Sequence, residues 1–385
     1  MNQSRRNFLQ MATIFAYLNS LPIASADAAP VDLNALRSLL LQIADQAIKD
    51  GASPGIQIEV WRQQHSIASV ARGFSNIETS ALVTANTVFR AGSLTKQFTA
   101  ALIAKLQEQG RLSVNDRLNK HLDFFIDKQA PTLLELIHHT AGIHDEHEST
   151  VDTARTSQMD LAKRIANQTK LYDFSPGTAW LYSNANYVLL GAVIESVTKL
   201  PLAQAAEQII FKPLGLHRTR FDNSAAVVKN RASGYSTPET SETSFVNAEF
   251  IPIEHTGGAG AIRSNASDLC QWHQSLFANK FLSAKSLESV VAPARLRDGR
   301  LATKERFDPN DNNMGDTSYG YGLLLDRATK DGSLIAMHNG FVNGFSAYLA
   351  THVPSMLTIA CMCNADPGPK LPFRQLRRTF FSEFL

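Results

Sequence analysis

The segment Ser93-Leu94-Thr95-Lys96 places a hydroxyl group and an amine three residues apart at the start of a helical pattern. Residues three apart on a helix are neighbours, so the Lys96 amine would lie beside the Ser93 hydroxyl. A serine hydroxyl needs an adjacent base to attack a carbonyl carbon, and a lysine can act as that base when burial lowers its pKa. A helix-capping serine followed by a surface lysine would have the same residue types at the same spacing, so the segment alone does not establish catalysis.

Two later segments carry groups that could act on the same carbonyl. Tyr182-Ser183-Asn184 supplies a phenol and a carboxamide, and His338-Asn339-Gly340 ends a predicted strand. An unperturbed tyrosine has a pKa of ~10, so its phenolate forms near neutral pH only beside a cation such as Lys96. The three segments together indicate proton transfer around a serine nucleophile.

In this order, the three segments resemble the serine β-lactamase and D-Ala-D-Ala carboxypeptidase superfamily, and most closely its class C branch with the related esterases. The resemblance covers nearly the whole chain after residue 30. It also includes Leu136–Gly142, Phe211–Leu216, Gly257–Arg263 and Gly340–Phe345. It implies a serine hydrolase that forms an acyl-enzyme and needs no cofactor.

The resemblance also implies a role for each residue of the centre. Ser93 is the nucleophile, and Lys96 and Tyr182 exchange its proton. The backbone N–H groups of Ser93 and Phe341 form the oxyanion hole, where two donors supply several kcal/mol of transition-state stabilisation. Four residues are expected to bind substrate: Asn184, which donates a hydrogen bond to it, His338, Asn339 and Gly340.

The third motif departs from the Lys-Thr-Gly that β-lactamases usually carry. Histidine has a pKa of ~6.5 and is mostly neutral at pH 7, so His338 anchors a substrate carboxylate more weakly than lysine would. Efficient β-lactam hydrolysis is therefore the least favoured activity. If a charged His338 holds the substrate, activity should rise as the pH falls through ~6.5.

The expected activity is that of a D-Ala-D-Ala carboxypeptidase or an esterase. The alternatives are a β-lactamase, a penicillin-binding or peptidoglycan-sensing protein that does not turn over, and an amidase or aminopeptidase for D-amino acids. The expected partner is a small molecule or peptide: a peptidoglycan stem peptide, a β-lactam or an ester. The sequence does not distinguish among these substrates, and it does not indicate an oligomeric state.

The elements that position these motifs follow from hydrophobic periodicity. Helices are predicted at both ends, over 33–47 and 373–385. Strands are predicted over 55–61, 66–71, 333–338, 344–352 and 357–364, and further helices over 94–109, 133–138, 187–198 and 202–210. Two polar stretches, 223–247 and 297–318, are predicted to be surface loops.

The predicted fold is mixed α/β, of the α+β type, with one antiparallel sheet flanked by the terminal helices and a mainly helical inserted domain. The sheet domain comprises residues 31–90 and 255–385, and the helical domain residues 91–254. The active site is expected at their interface.

Residues 1–26 have the pattern of a cleaved signal peptide: Arg5-Arg6 followed by Phe8-Leu9, a mostly apolar stretch, and small residues up to Ala28. The paired arginines are typical of the twin-arginine export route, so a periplasmic or secreted location is expected, with cleavage near Ala26 or Ala28. The apolar stretch is shorter than the ~20 residues of a membrane span, so no stable membrane anchor is expected.

The remaining composition argues against other classes of function. The formal net charge of +2 corresponds to Arg5 and Arg6, and a balanced chain has no electrostatic preference for nucleic acid. Cys270, Cys361 and Cys363 are predicted to be free, buried thiols rather than a disulfide framework. The segments His138-His139 and His144-Asp145-Glu146-His147 lack a metalloprotease spacing, and neither is expected to bind a metal.

Overall fold

The computed structural model describes residues 32–145, 157–238, 245–310, 315–329 and 331–383 of the 385-residue chain. The predicted signal peptide, Glu146 and His147 lie outside these ranges. Strands are numbered along the chain as β1 Gly55–Arg62, β2 His65–Asn76, β3 Ala81–Leu82, β4 Phe89–Arg90, β5 Arg220–Phe221, β6 Tyr235–Ser236, β7 Val246–Asn247, β8 Ile262–Ser264, β9 Ser318–Tyr319, β10 Leu324–Asp326, β11 Ile335–Val342, β12 Phe345–His352 and β13 Leu357–Cys363.

The α-helices are α1 Leu33–Lys49, α2 Thr95–Glu108, α3 Leu133–Ile137, α4 Gln158–Ala166, α5 Asn184–Thr198, α6 Leu202–Ala206, α7 Gly257–Gly260, α8 Ala266–Phe277, α9 Ala284–Val290 and α10 Phe373–Glu383. A five-residue π-helical segment, Glu207–Phe211, continues α6. Short 3₁₀ turns occur elsewhere, among them Gly92–Leu94.

Eight strands form one antiparallel sheet in the order β3-β2-β1-β13-β12-β11-β10-β9. Strands β12 and β13 are buried along their whole length, including polar residues such as Ser346 and Thr358. Two small sheets, β4-β8-β5 and β6-β7, lie outside it. The second forms within the stretch 223–247 that was predicted as a loop.

The two faces of the large sheet are covered by different parts of the chain. On one face the terminal helices α1 and α10 pack through Leu36, Leu40, Leu376 and Phe380. The other face belongs to a larger core with α2, α5 and α8. The prediction of an antiparallel sheet flanked by terminal helices is therefore confirmed. The proposed domain boundaries stay a prediction, since this larger core contains residues from both parts.

The sequence pattern predicted most of the long elements, but it missed the helices α4 and α8 and the short strands. Strands of two or three residues, such as β4 and β8, are too short to show a period of two. Ser93 lies in the 3₁₀ turn before α2 rather than in the first turn of the helix. Cys270, Cys361 and Cys363 are free and buried, as predicted, with the sulfur atoms of Cys361 and Cys363 4.0 Å apart.

No single described helix has the length and hydropathy of a membrane span. The length and hydropathy of a span are met only when two helical segments are counted together, Asn184–Thr198 and Leu202–Phe211, and these are bent by 75° relative to each other.

Candidate active site

The turn that carries Ser93 is tied to strand β8 on one side. The backbone N–H of Ala91 donates to the Ile262 carbonyl at 2.8 Å. The Thr95 hydroxyl donates to the Gly92 carbonyl at 2.7 Å and accepts from the Ile262 N–H at 2.9 Å. These bonds fix the backbone on both sides of the nucleophile.

On the other side the turn rests directly on strand β11, and two glycines permit this close approach. A Cβ atom on Gly340 would lie 1.9 Å from the Ala91 carbonyl oxygen. Gly92 has φ = +51°, and a Cβ there would lie 2.6 Å from both the backbone N and the backbone O of Phe341. Any other residue at either position would push the Ser93 turn off the strand.

The same contacts locate the expected oxyanion hole. Because the backbone N and O of Phe341 both face Gly92, the Phe341 N–H lies on the Ser93 side of the strand. Strand β10 pairs with β11 only from Ile335 to Met337, so this part of β11 extends past its neighbour. The structure thus places the Phe341 backbone beside the turn that carries Ser93, and the pairing of these two N–H groups as an oxyanion hole stays a prediction.

Lys96 is fully buried beneath Ser93. Its Nζ lies 3.3 Å from Ser93 Oγ, 2.7 Å from Asn184 Oδ1 and 3.1 Å from the Ala259 carbonyl oxygen. Burial lowers the pKa of Lys96 to about 7, although the nearby Asp145 carboxylate raises it. A large fraction of Lys96 is therefore neutral at physiological pH.

The hydrogen-bond partners of a neutral Lys96 dictate where its lone pair points. A neutral amine has two N–H bonds and one lone pair. The oxygens of Asn184 and Ala259 can only accept, so they take the two N–H bonds. The lone pair is left facing Ser93 Oγ, which is the arrangement that a general base requires.

Tyr182 lies above Lys96, with its ring centroid 4.7 Å from Nζ. Burial raises the pKa of the Tyr182 phenol above its usual value, and Asp145 raises it further; a hydrogen bond with Ser93 acts in the opposite direction. Tyr182 is therefore a phenol at neutral pH, and the expectation of a phenolate is not supported. This geometry favours Lys96 as the base and Tyr182 as a proton donor.

Behind Tyr182, a buried histidine holds the phenol in place. The His139 ring stacks on the Tyr182 ring at a centroid distance of 4.4 Å. Its Nδ1 accepts from the Ser183 backbone N–H at 3.1 Å, so the ring proton is on Nε2, 3.2 Å from the Tyr319 hydroxyl. Burial holds the pKa of His139 well below its usual value, so the ring stays neutral.

His338 is buried and does not line the cleft, contrary to the expectation that it contacts substrate. Its Nδ1 donates to the Asn339 carbonyl at 2.5 Å, and its Nε2 lies 3.3 Å from the Tyr319 hydroxyl. Burial lowers the pKa of His338 to about 4. A neutral, internally bonded His338 cannot anchor a carboxylate. Asn339 is also absent from the cleft wall, and Gly340 packs against Ala91.

These pKa values reverse the pH dependence expected from His338. We expect kcat/KM for a neutral ester to fall about tenfold per pH unit as the pH drops below about 7, because Lys96 must be neutral to act as a base. A pH–rate profile between pH 5 and 9 measures this. A rate that increases between pH 7 and 6 would contradict it.

The cleft above Ser93 has a volume of about 690 Å³. Much of its wall is apolar and comes from α4, α5, the segment before α7, and the end of β11. The apolar side chains are Leu161, Ile165, Val188, Phe250, Ile251, Pro252, Phe341 and Val342. Charged and titratable side chains at its wall are Asp145, Arg164, Glu249 and His255.

The position of Asp145 was not foreseen from the sequence, which placed it in a solvated charge cluster. In the structure it accepts hydrogen bonds from the Asn184 side chain and from the start of α5. Its neighbour His144 instead pairs with Asp173 at 2.9 Å. Within the described ranges, no group of three His, Cys, Asp or Glu side chains is arranged to hold a metal ion.

Comparison with known proteins agrees with this geometry. A family model described as Beta-lactamase matches residues 40–381. Penicillin-binding protein 4* of Bacillus subtilis is 28% identical over 76% of this chain and 64% of its own length. A D-aminopeptidase of Gluconobacter oxydans is 23% identical over 81% of this chain and 56% of its own length. The chain thus spans less than two thirds of these relatives.

Solved structures with the same fold include a D-stereospecific amidohydrolase from Streptomyces, with a TM-score of 0.73 at 23% identity, covering 90% of this chain and 99% of that one. A penicillin-binding protein homologue from Pyrococcus abyssi has a TM-score of 0.71 at 22% identity, covering 91% and 81%. The family match extends across nearly all described residues and includes every residue of the centre around Ser93. The chain therefore belongs to the Beta-lactamase family of serine hydrolases.

Proposed function

We propose that this protein hydrolyses esters or amides of small substrates through an acyl-enzyme on Ser93. The observation that carries this is the buried Lys96, whose lone pair faces Ser93 Oγ because two carbonyl oxygens take its N–H bonds. The role of Ser93 as the nucleophile follows from this arrangement.

The reaction divides into two transfers. Ser93 Oγ attacks the substrate carbonyl while Lys96 accepts its proton, and the backbone N–H groups of Ser93 and Phe341 bind the oxyanion. When the bond to the leaving group breaks, the Tyr182 phenol donates a proton to that group and is reprotonated from Lys96. Water then attacks the acyl carbonyl and gives a proton to Lys96, and the bond to Ser93 Oγ breaks as Oγ takes that proton back and the acid product leaves.

The cleft wall favours a substrate whose acyl or leaving group is apolar. The side chains from α4 and from 250–252 bury such a group, and each buried methylene contributes roughly 0.8 kcal/mol. Among the described cleft residues, Arg164 lies on α4 and His255 in the turn 253–256, and no Lys, Arg or His of β11 lines the cleft. This arrangement favours esters and amides over substrates with a carboxylate next to the scissile bond.

A second candidate is an aminopeptidase or amidase for D-amino acids. The Asp145 and Glu249 carboxylates both line the cleft and could hold a substrate ammonium group. Two proteins similar to this chain are described as a D-aminopeptidase and a D-stereospecific amidohydrolase. This candidate differs from the first in requiring a free substrate amine.

Steady-state turnover of matched substrates tests both candidates. The substrates are p-nitrophenyl butyrate, D-alanine p-nitroanilide, its N-acetyl derivative, a D-Ala-D-Ala peptide and penicillin. Sustained ester turnover supports the proposal, and a strict need for the free amine supports the second candidate. Turnover of the dipeptide alone would favour a carboxypeptidase. A single burst on every substrate would indicate a protein that is acylated without hydrolysis.

We also propose that the protein is exported by the twin-arginine route, on the basis of Arg5-Arg6 and the apolar stretch that follows. This route carries folded proteins, and the free, buried thiols of the fold suit folding in a reducing compartment. Replacing both arginines by lysine is expected to leave the protein in the cytoplasmic fraction. Unchanged export of that variant would point to the general secretory route.

A further inference from the structure

We propose that Asp145 is a positioning residue that orients the Asn184 carboxamide and, through it, directs Lys96 at Ser93. The proposal rests on the acyl-transfer function proposed above. It assigns a role to a carboxylate that the sequence motifs leave unassigned, and it changes the expected role of Asn184.

Asp145 contacts the start of α5 through three hydrogen bonds. Its Oδ2 accepts from the Asn184 backbone N–H at 2.8 Å and from Asn184 Nδ2 at 3.1 Å, and its Oδ1 accepts from the Ala185 N–H at 3.2 Å. The first N–H groups of a helix have no partner within the helix, so a carboxylate is a favourable acceptor there. Asp145 is thereby held in a defined position at the cleft wall.

This position decides which end of the Asn184 carboxamide faces Lys96. A carboxylate only accepts hydrogen bonds, so the amide nitrogen must point to Asp145. The amide oxygen then points the other way, 2.7 Å from Lys96 Nζ. The orientation of the Asn184 amide follows from the charge at position 145.

The orientation matters because a neutral lysine has only one lone pair. With the Asn184 oxygen facing it, Lys96 donates to Asn184 and to Ala259, and the lone pair faces Ser93. If the amide rotated by 180°, its NH₂ group would face Lys96 and draw the lone pair away from Ser93. Losing Asp145 therefore weakens the base without removing any catalytic group.

A simple helix cap is the competing explanation for the same three hydrogen bonds. Ser183 occupies the N-cap position of α5, but its side chain makes no capping bond, so Asp145 also stabilises the helix end. A cap affects the stability of the fold, whereas a positioning residue also affects the plateau rate, and it does so through Asn184. Loss of the Asp145 charge shifts the pKa of Lys96 under either explanation, so the coupling between Asp145 and Asn184 in plateau activity separates the two.

Four other described groups interact with Lys96, and none of them changes charge between pH 5 and 9. These are the phenols of Tyr182 and Tyr187, whose pKa values burial raises, and the rings of His139 and His338, whose pKa values burial lowers. Asp145 raises the pKa of Lys96. Removing its charge must therefore move the acid limb of the rate profile to lower pH.

The experiment compares the wild-type protein with Asp145→Asn, which keeps one oxygen acceptor for the backbone of α5 and replaces the other with an NH₂ donor. The readouts are kcat/KM for p-nitrophenyl butyrate between pH 5 and 9, and the melting temperature. We expect the plateau to fall by about 10- to 100-fold, the scale of losing hydrogen bonds to a charged group, and the acid limb to move to lower pH. Asp173→Asn is the matched control, since Asp173 pairs with His144 and Lys170 outside the cleft lining.

A double-mutant cycle with Asn184→Ala tests whether Asp145 acts through Asn184. If it does, Asp145→Asn should cause little further loss of plateau activity in the Asn184→Ala background. Additive losses, or a folded Asp145→Asn protein with an unmoved acid limb, would overturn the proposal. Acyl labelling of wild-type Ser93 is measured first. If Ser93 is not labelled, the proposed function fails. If Ser93 is labelled but the acid limb of the Asp145→Asn profile does not move, only the role of Asp145 is rejected.

Discussion

Ser93→Ala is expected to lose all acyl labelling and turnover that depend on the nucleophile. Without Oγ no acyl-enzyme forms, and Lys96, Tyr182 and the oxyanion donors have no group to activate. Such a loss is on the scale of ~10³-fold or more for a covalent mechanism. Intact-mass analysis after exposure to a p-nitrophenyl ester, together with steady-state turnover, measures both effects.

Ser183→Ala is the matched control for this experiment. Ser183 lies between Tyr182 and Asn184 in the sequence, and its hydroxyl is buried, yet it has no hydrogen-bond partner among the described residues. Its removal should leave labelling and turnover near the wild-type values. Persistent labelling of Ser93→Ala, or loss of labelling in Ser183→Ala alone, would contradict the assignment of the nucleophile.

Gly340→Val is the second change with a large expected effect, although it adds atoms rather than removing a functional group. Its Cβ would meet the Ala91 carbonyl oxygen, so the Ser93 turn and strand β11 must separate. Both oxyanion donors belong to these two elements. Losing one such donor costs ~10²- to 10³-fold in kcat, and we expect a loss of at least this size.

Gly368→Ala provides the comparison for Gly340→Val, because a Cβ at Gly368 has no neighbour within 4 Å and its backbone conformation suits any residue. It should retain wild-type kcat and melting temperature. The readouts for both variants are kcat, the pre-steady-state rate of acylation, and circular dichroism. Wild-type acylation in folded Gly340→Val would mean that the close contact of the turn with β11 is unnecessary.

The sequence was sufficient to predict the reacting groups and most of the long elements, with the helices α4 and α8 as exceptions. Helical spacing of apolar residues predicted the terminal helices, and apolar strand-like runs predicted β1, β2 and β11–β13, because burial of one or both faces imposes a pattern over five or more residues. Ser93, Lys96 and Tyr182 were found through their order along the chain. The structure brings all three together within one buried centre.

The sequence could not predict partners that meet only through tertiary packing. The Ala259 carbonyl is a backbone group, so its residue type gives no indication that it accepts from Lys96. Asp145 lies in a polar segment where a solvated carboxylate has the same composition as a functional one. His338 was expected to bind substrate because of its place in the third motif, and its burial, with Nε2 3.3 Å from the Tyr319 hydroxyl, is a result of tertiary packing.

Two of the three tryptophans give this centre a spectroscopic reporter. Trp272 is fully buried and stacks on Phe98 of α2, the helix that carries Lys96, at a centroid distance of 4.5 Å. Trp180, equally buried, lies two residues before Tyr182 and contacts His139 edge-on. The intrinsic fluorescence of these two tryptophans therefore comes from side chains packed against the elements that carry Lys96 and Tyr182. Emission can follow the integrity of the catalytic machinery during unfolding without any added dye.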